Sequence, residues 1–240
     1  MIAIRTENSG PAFVLASIVA SYPDPLFIEN LATLLDDADL NAGLGESAQR
    51  SLTELRARLA ALIAAPHELD DLRSEFIDRF DRGKQVTSLY ETEYGRERAM
   101  VKGNELADIA GFYRAFGFET GGEGVQAEMT DHVAVELEFY ALLIFKQQAL
   151  IESAEREGIE IVLDARRKFL KDHLGRFIGA LCDRPGLAES PFYTTALQYC
   201  RELVLDECQK LEVMLEPVQW LSGQTDAPDM TCGGSVGCLK

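Results

Sequence analysis

The chain has 240 residues, 47% of them hydrophobic, which suits one large domain or two small ones around a sizeable core. It carries 40 acidic against 23 basic residues, a formal charge of -17. Such a surface repels nucleic acid and anionic lipid, which need clustered Lys and Arg; it would attract a basic peptide, and it equally serves plain solubility.

The apolar run Ala12 to Ala20 is interrupted by Ser17 and closed by Tyr22-Pro23-Asp24, short of the roughly 20 residues a membrane span requires. Glu7 follows Arg5, and no small-x-small cleavage site ends the run, so the start reads as a poor signal peptide and the expected location is the cytoplasm. Strand signals are nearly absent, whereas apolar residues recur at three and four throughout. The first helix is expected over Pro11 to Ala20. A second follows the Asp24-Pro25 cap, with Phe27, Leu31, Leu34 and Leu35 on its apolar face. A third runs from about Ser47 to Ala64, with Leu52, Leu55, Leu59, Leu62 and Ile63 as its stripe. Pro66 opens a fourth, with Leu69, Leu72, Phe76 and Phe80 inward, and Asp81-Arg82-Gly83 stops it.

Residues 84–102 lack a helical period and read as a long connection holding Tyr90 and Tyr94, either a functional loop or one pinned by its tyrosines. Asn104 is the expected cap of the next helix (Leu106, Ile109, Ala110, Tyr113, Phe116), and Gly117, Gly121, Gly122 and Gly124 mark the loop after it. Thr130 is the expected cap of a long helix reaching towards Glu157, with Val133, Leu137, Tyr140 and Ile144 as one stripe and Phe139 and Leu143 widening it. Another is expected over Glu160 to Leu181, broken by Asp183-Arg184-Pro185-Gly186. Ser190-Pro191 starts the last, with Leu197, Val204, Leu211 and Leu215 inward and an end near Pro217 or Leu221. Eight or so helices with short connections predict an all-α, single-domain bundle over 1–221, followed by a Gly- and Ser-rich flexible tail over 222–240.

No phosphate-cradling loop, His-Glu-x-x-His pair or Gly-x-Ser-x-Gly elbow is present, so no enzyme chemistry is proposed by motif. Cys182, Cys200 and Cys208 fall in helical patterns and read as small buried hydrophobes. The polar group that stands out is Glu128, Asp131, His132 and Glu136 at the start of the long helix, where His132 and Glu136 share a face. Three readings are open: a capping and ion-pair network, a site for the backbone or a basic side chain of a partner, or a metal or acid–base site with a thin ligand set.

This segment, Glu128-Met129-Thr130-Asp131-His132 followed by Glu136-Leu137-Glu138-Phe139, resembles the signature of the TorD/DmsD/NarJ family, Glu-Pro-x-Asp-His and then Glu-x-Glu-Phe, with Met129 in place of the proline. Leu89-Tyr90-Glu91-Thr92-Glu93-Tyr94 resembles the family's Pro-x-Glu-Ser-x-Tyr stretch, and Phe112-Tyr113-Arg114-Ala115-Phe116-Gly117 its Phe-Tyr-x-x-Phe-Gly helix. Phe169-Leu170-x-x-His173-Leu174 and Pro191-Phe192-Tyr193 follow in order, so the resemblance covers roughly residues 10–215. It implies a cytoplasmic, non-enzymatic chaperone without a cofactor of its own, a monomer or weak dimer. Its implied partner is the catalytic subunit of a molybdenum enzyme of the dimethyl-sulfoxide-reductase superfamily, bound through an N-terminal leader that often carries a twin-arginine export signal, while molybdopterin cofactor is inserted. The client-binding residues so implied are Tyr90, Glu91, Tyr94, Glu128, Asp131, His132 and Glu136, with Asp131 and His132 expected to be partly exposed at a helix start. A nucleotide- or small-molecule-binding helical protein without a client is the alternative. Cys232 and Cys238, in the tail outside the resemblance, are weak metal candidates, and the expectation is that the tail is dispensable for the fold and binds no metal tightly.

Overall fold

The computed structural model describes residues 8–82, 87–95, 98–120 and 129–218, with backbone alone at 98–101. Among these the protein is all-α, as expected: nine α-helices joined by short 3₁₀ and π turns, with a single isolated β-bridge. None of these helices is long and apolar enough to cross a membrane.

Helix α1 (Gly10–Ala20) is apolar on almost every side and is buried on almost every side, the signature of a central helix. It packs on α6 (Val133–Glu152) and α9 (Pro191–Lys210). Its small residues let α9 come close: the Tyr199 hydroxyl donates to the Ala12 carbonyl at 2.9 Å, and the Cys200 thiol sits 3.6 Å from the Ala16 carbonyl. Helix α2 (Phe27–Leu35) buries Phe27 and Leu31 while Leu34 and Leu35 are half-buried. Asp24 acts one turn earlier than a helix cap, its carboxylate accepting from the Leu26 amide at 2.9 Å. Helix α3 (Glu46–Ala64) lays Leu52, Leu55, Leu59 and Leu62 against α9. Helix α4 (Leu69–Phe76) runs on into a π turn (Ile77–Asp81), so that Leu72, Phe76 and Phe80 make one buried face against Tyr193.

Helix α5 (Arg98–Ala115) begins six residues before the Asn104 cap expected from sequence. Asn104 reads as a cap, yet it and Gly103 lie exposed on the helix surface, where their weak propensity is tolerated. Helix α6 starts at Val133, and its cap is His132, not Thr130. The reason is tertiary. Residues 131–132 are drawn into the β-bridge, leaving His132 extended at ψ 133, and its Nδ1 accepts from the Ala134 amide at 3.2 Å.

Two expected helix ends fall elsewhere, for one reason. Helix α6 stops at Glu152 and α7 (Arg156–Phe169) begins at once, so the break lies at 153–155 and not between 157 and 160. Helix α9 stops at Lys210, before Pro217. Each ends in a Schellman motif with a non-glycine residue in the left-handed region, Ala154 at φ 58 and Glu212 at φ 56. The six-to-one bonds are Glu155 N–H to the Leu150 carbonyl at 3.0 Å and Val213 N–H to the Cys208 carbonyl at 2.8 Å. Helix α5 ends in the same motif at Gly117, φ 65, where glycine makes the stop visible in the sequence. A left-handed L-residue costs roughly 1–2 kcal/mol. Ala154→Gly, at an exposed position, is therefore expected to raise stability by about 1 kcal/mol, read as a higher urea midpoint at unchanged slope. An unchanged midpoint would mean that the cost lies elsewhere.

From α7 a π turn (Leu170–Leu174) leads into α8 (Gly175–Cys182). Gly175 is required there, because a Cβ would lie 2.4 Å from the Leu170 carbonyl oxygen. Cys200 and Cys208 are buried and Cys182 half-buried, all three as free thiols. Burial pushes the Cys182 and Cys208 thiols up to about 12, so they are inert packing groups. Cys232, Cys238 and the rest of the expected tail lie outside the described residues.

Candidate functional site

The long connection after α4 returns to the bundle at Thr87 and is fastened to the strand-like entrance of α6. Two backbone bonds form the bridge: the Glu91 amide donates to the Asp131 carbonyl, and the Val133 amide to the Leu89 carbonyl, both at 2.8 Å. Side chains reinforce it. Asp131 Oδ2 accepts from the Thr92 hydroxyl at 2.6 Å and from the Thr92 amide at 3.3 Å. The Tyr94 hydroxyl donates to the Ser88 carbonyl at 2.6 Å, closing the loop on itself, and its ring packs on Phe177 of α8. From α5, the Tyr113 hydroxyl donates to the Thr130 carbonyl at 2.7 Å.

Six of the seven residues singled out from sequence therefore meet at one place, and Glu128 lies outside the described residues. Their exposure differs from expectation. Asp131, His132 and Glu136 are 0%, 2% and 0% exposed, and Glu91 and Tyr94 are buried as well. Only Tyr90 of the six stays half-buried, its ring edge-on to His132 with centroids 5.1 Å apart. Met129, whose carbonyl accepts from the His132 amide at 3.0 Å and which stands where the family motif has proline, is an exposed large hydrophobe. The expected partial exposure of Asp131 and His132 is thus corrected: a helix entrance that is itself bridged by a second segment has no solvent side.

The electrostatics behind this surface centre on Glu91. Its Oε2 lies 3.1 Å from His173 Nδ1, and His173 Nε2 lies 3.2 Å from Asp108 Oδ2 on α5. Arg176 of α8 reaches Glu91 Oε1 at 3.9 Å and Glu105 at 3.4 Å. Burial works to lower the His173 pKa, but its bonds to Glu91 and Asp108 outweigh that, so the net shift is upward and the ring is held charged. Glu136 is the opposite case. Burial first, and then the neighbouring Glu91 and Asp131 charges, push its pKa well up. With both carboxyls ionised, neither Glu136 oxygen nor Glu91 Oε1 has a hydrogen-bond donor. A protonated Glu136 donating to Glu91 resolves this. His132 is held neutral, its pKa lowered by burial to about 4, which is the state that its capping Nδ1 lone pair requires.

His173, Arg176, Thr92 and Asp108 were not singled out as site residues from sequence. Thr92 lies in the quoted Leu89–Tyr94 stretch and His173 in Phe169-Leu170-x-x-His173, but neither motif carried an indication of its partner, 39 and 82 residues away. An open hollow of about 540 Å³ lined by Asn104, Glu105, Asp108, Asp172, His173 and Arg176 lies on the outer side of the network. Among the described residues no group of His, Cys, Asp and Glu is arranged to hold a metal ion.

A family model described as nitrate reductase delta subunit matches residues 41–183, more than half of the chain. The chain belongs to that family. It is the TorD/DmsD/NarJ family of the sequence resemblance, a non-catalytic class of chaperones associated with the maturation of molybdoenzymes. The matched span holds the whole bridged cluster, from the Tyr90 loop through α6 to His173 and Arg176, and leaves α1, α2 and α9 outside. No curated protein matches the chain.

Proposed function

We propose that this protein binds the N-terminal leader of the catalytic subunit of a dimethyl-sulfoxide-reductase-superfamily molybdoenzyme, in the cytoplasm, and keeps it unassembled while its molybdopterin cofactor is inserted. The observation that carries this reading is the convergence of four of the five family motifs, all but Pro191-Phe192-Tyr193, on one bridge, with half-buried Tyr90 and exposed Met129 in the two bridged segments and a buried acidic network behind them. An apolar leader segment packs on Tyr90 and Met129, and the net charge of -17 favours a leader bearing arginines. Glu91, Tyr94, Asp131, His132 and Glu136 then shape and hold the surface from inside, and Glu128, next to Met129 in sequence, is the nearest candidate for a direct charged contact. Nitrate reductase is one client to include, since the matching family model bears its name.

Affinity purification of the tagged protein from its native cell, followed by mass spectrometry, should enrich a molybdoenzyme catalytic subunit. Its absence would sink the client reading. Saturable nucleotide binding without a client would favour the alternative. On the purified pair, Tyr90→Ala combined with Met129→Asp is expected to weaken leader-peptide binding in calorimetry by about tenfold or more, with the helical circular dichroism of the parent retained. Affinity equal to that of the parent protein would move the contact surface elsewhere.

A further inference from the structure

We infer that Glu136 is a positioning residue: from inside α6 it clasps Glu91 through one shared proton, and so fixes the loop that carries Tyr90. The clasp is a matter of geometry. Glu91 is the side chain by which the 3₁₀ turn Glu91–Glu93 reaches inward, and it is 3% exposed. It ends against His173 of the π turn and Arg176 of α8, while its Oε1 and both oxygens of Glu136, itself 0% exposed on α6, are buried without a hydrogen-bond partner. His173 meets its Oε2 and Arg176 stands 3.9 Å from its Oε1, and the two are themselves held by Asp108 and Glu105 of α5. The other buried polar groups of the cluster are two carboxyls, Glu136 and the Asp131 that tethers Thr92, and the Tyr113 hydroxyl bonded to Thr130. Two positive groups thus serve Glu91, and no described donor serves Glu136 except a proton of its own.

The stoichiometry of that proton decides the state of the loop. With one proton on the pair, neutral Glu136 donates to Glu91, and Glu91 keeps its negative charge for His173 and Arg176. Removing the proton places two buried carboxylates beside a third, Asp131, and the loop is the element free to move away from α6. Glu136 and Glu91 belong to the fold whether or not a leader binds. Only the consequence for client affinity rests on the function proposed above.

Glu136→Gln puts a permanent donor where the proton sits. In the full-length protein, hydrogen exchange of the Glu91, Thr92 and Tyr94 amides should lose protection as pH rises from the ordinary carboxylate range upward, by up to about tenfold per unit after correction for base-catalysed exchange. In Glu136→Gln the corrected protection should stay flat. Thr92→Val, which cuts the Asp131 tether but spares the carboxyl pair, should lower protection at every pH and keep the parent slope. Parallel profiles for the parent protein and Glu136→Gln would overturn the clasp, as would a Glu136→Gln loop looser than the parent at neutral pH. Leader-peptide affinity measured over the same range should follow the loop, weakening by up to about tenfold per unit in the parent and staying constant in Glu136→Gln. If the amides behave as expected and peptide affinity does not follow, the clasp stands and the leader-binding reading falls.

Discussion

Replacing Glu207 with alanine should cost the fold about 3–5 kcal/mol, because it strands a buried arginine. Glu207 projects from α9 and is 2% exposed. It accepts from the Ser9 hydroxyl at 3.0 Å, from the Tyr140 hydroxyl at 3.3 Å and from Arg166, and Lys210 lies 3.3 Å away. Arg166 also donates to Tyr140 at 3.2 Å and to Gln147 at 2.6 Å, so the cluster joins α6, α7 and α9 and the residue before α1. Burial works to raise the Glu207 pKa, but Arg166, Lys210 and the Ser9 bond outweigh it and the net shift is downward. A carboxyl with a depressed folded pKa contributes stability that is present above its unfolded value and lost as pH falls through the folded one. The loss on Glu207→Ala should therefore be full at neutral pH and shrink in acid. Urea titration at pH 7 measures it, and a loss under about 1 kcal/mol would mean that water reaches Arg166. The double variant Arg166→Met with Glu207→Leu should recover more than half of the loss, since apolar groups of similar volume replace a buried ion pair at little cost.

Between pH 6.5 and about 4 the protein should lose about 3 kcal/mol through His132 alone. The ring is buried and neutral in the folded state, with a pKa lowered to about 4, and ordinary once unfolded. In that window the unfolded chain binds the extra proton, so stability falls as pH falls. Below about 4 the folded ring protonates too, and its Nδ1 can no longer accept from Ala134. Glu91 and Glu136, both with raised pKa values, contribute the opposite slope, stability gained as pH falls. The His132 share is therefore read as a difference. His132→Asn keeps a capping acceptor and removes the titration. Guanidinium unfolding of both proteins from pH 7 to 4 should show the parent losing ground to the variant by about 3 kcal/mol. A constant gap would show that His132 does not titrate on unfolding.

Much of the fold is legible in the sequence, because helices are local. The stripe Leu52, Leu55, Leu59, Leu62 in α3 and the face Val133, Leu137, Tyr140, Ile144 in α6 follow from a 3.6-residue period, and both are buried as read. The Ser190 cap, whose hydroxyl accepts from the Tyr193 amide at 3.1 Å, and the Gly117 stop are local chemistry too. Ala154 and Glu212 are not legible as stops, because nothing about alanine or glutamate advertises a left-handed residue.

The family motifs, and with them Tyr90, Glu91, Tyr94, Asp131, His132 and Glu136 as a set, were determined by the sequence itself. What those residues do to one another was decided only in three dimensions. A carboxylate at a helix start looks like an exposed cap, and becomes a buried tether when a loop some 40 residues upstream bridges over it, as Thr92 does to Asp131. Glu91 finds His173 across 82 positions, and Arg166 finds Glu207 across 41. Burial and charge pairing depend on which elements meet, and the energy of a buried charge depends steeply on its few nearest neighbours. Neighbours along the chain fix the helices, whereas neighbours across the bundle fix the protonation state of Glu136, the charge on His173 and the side of the Tyr90 loop that faces outward.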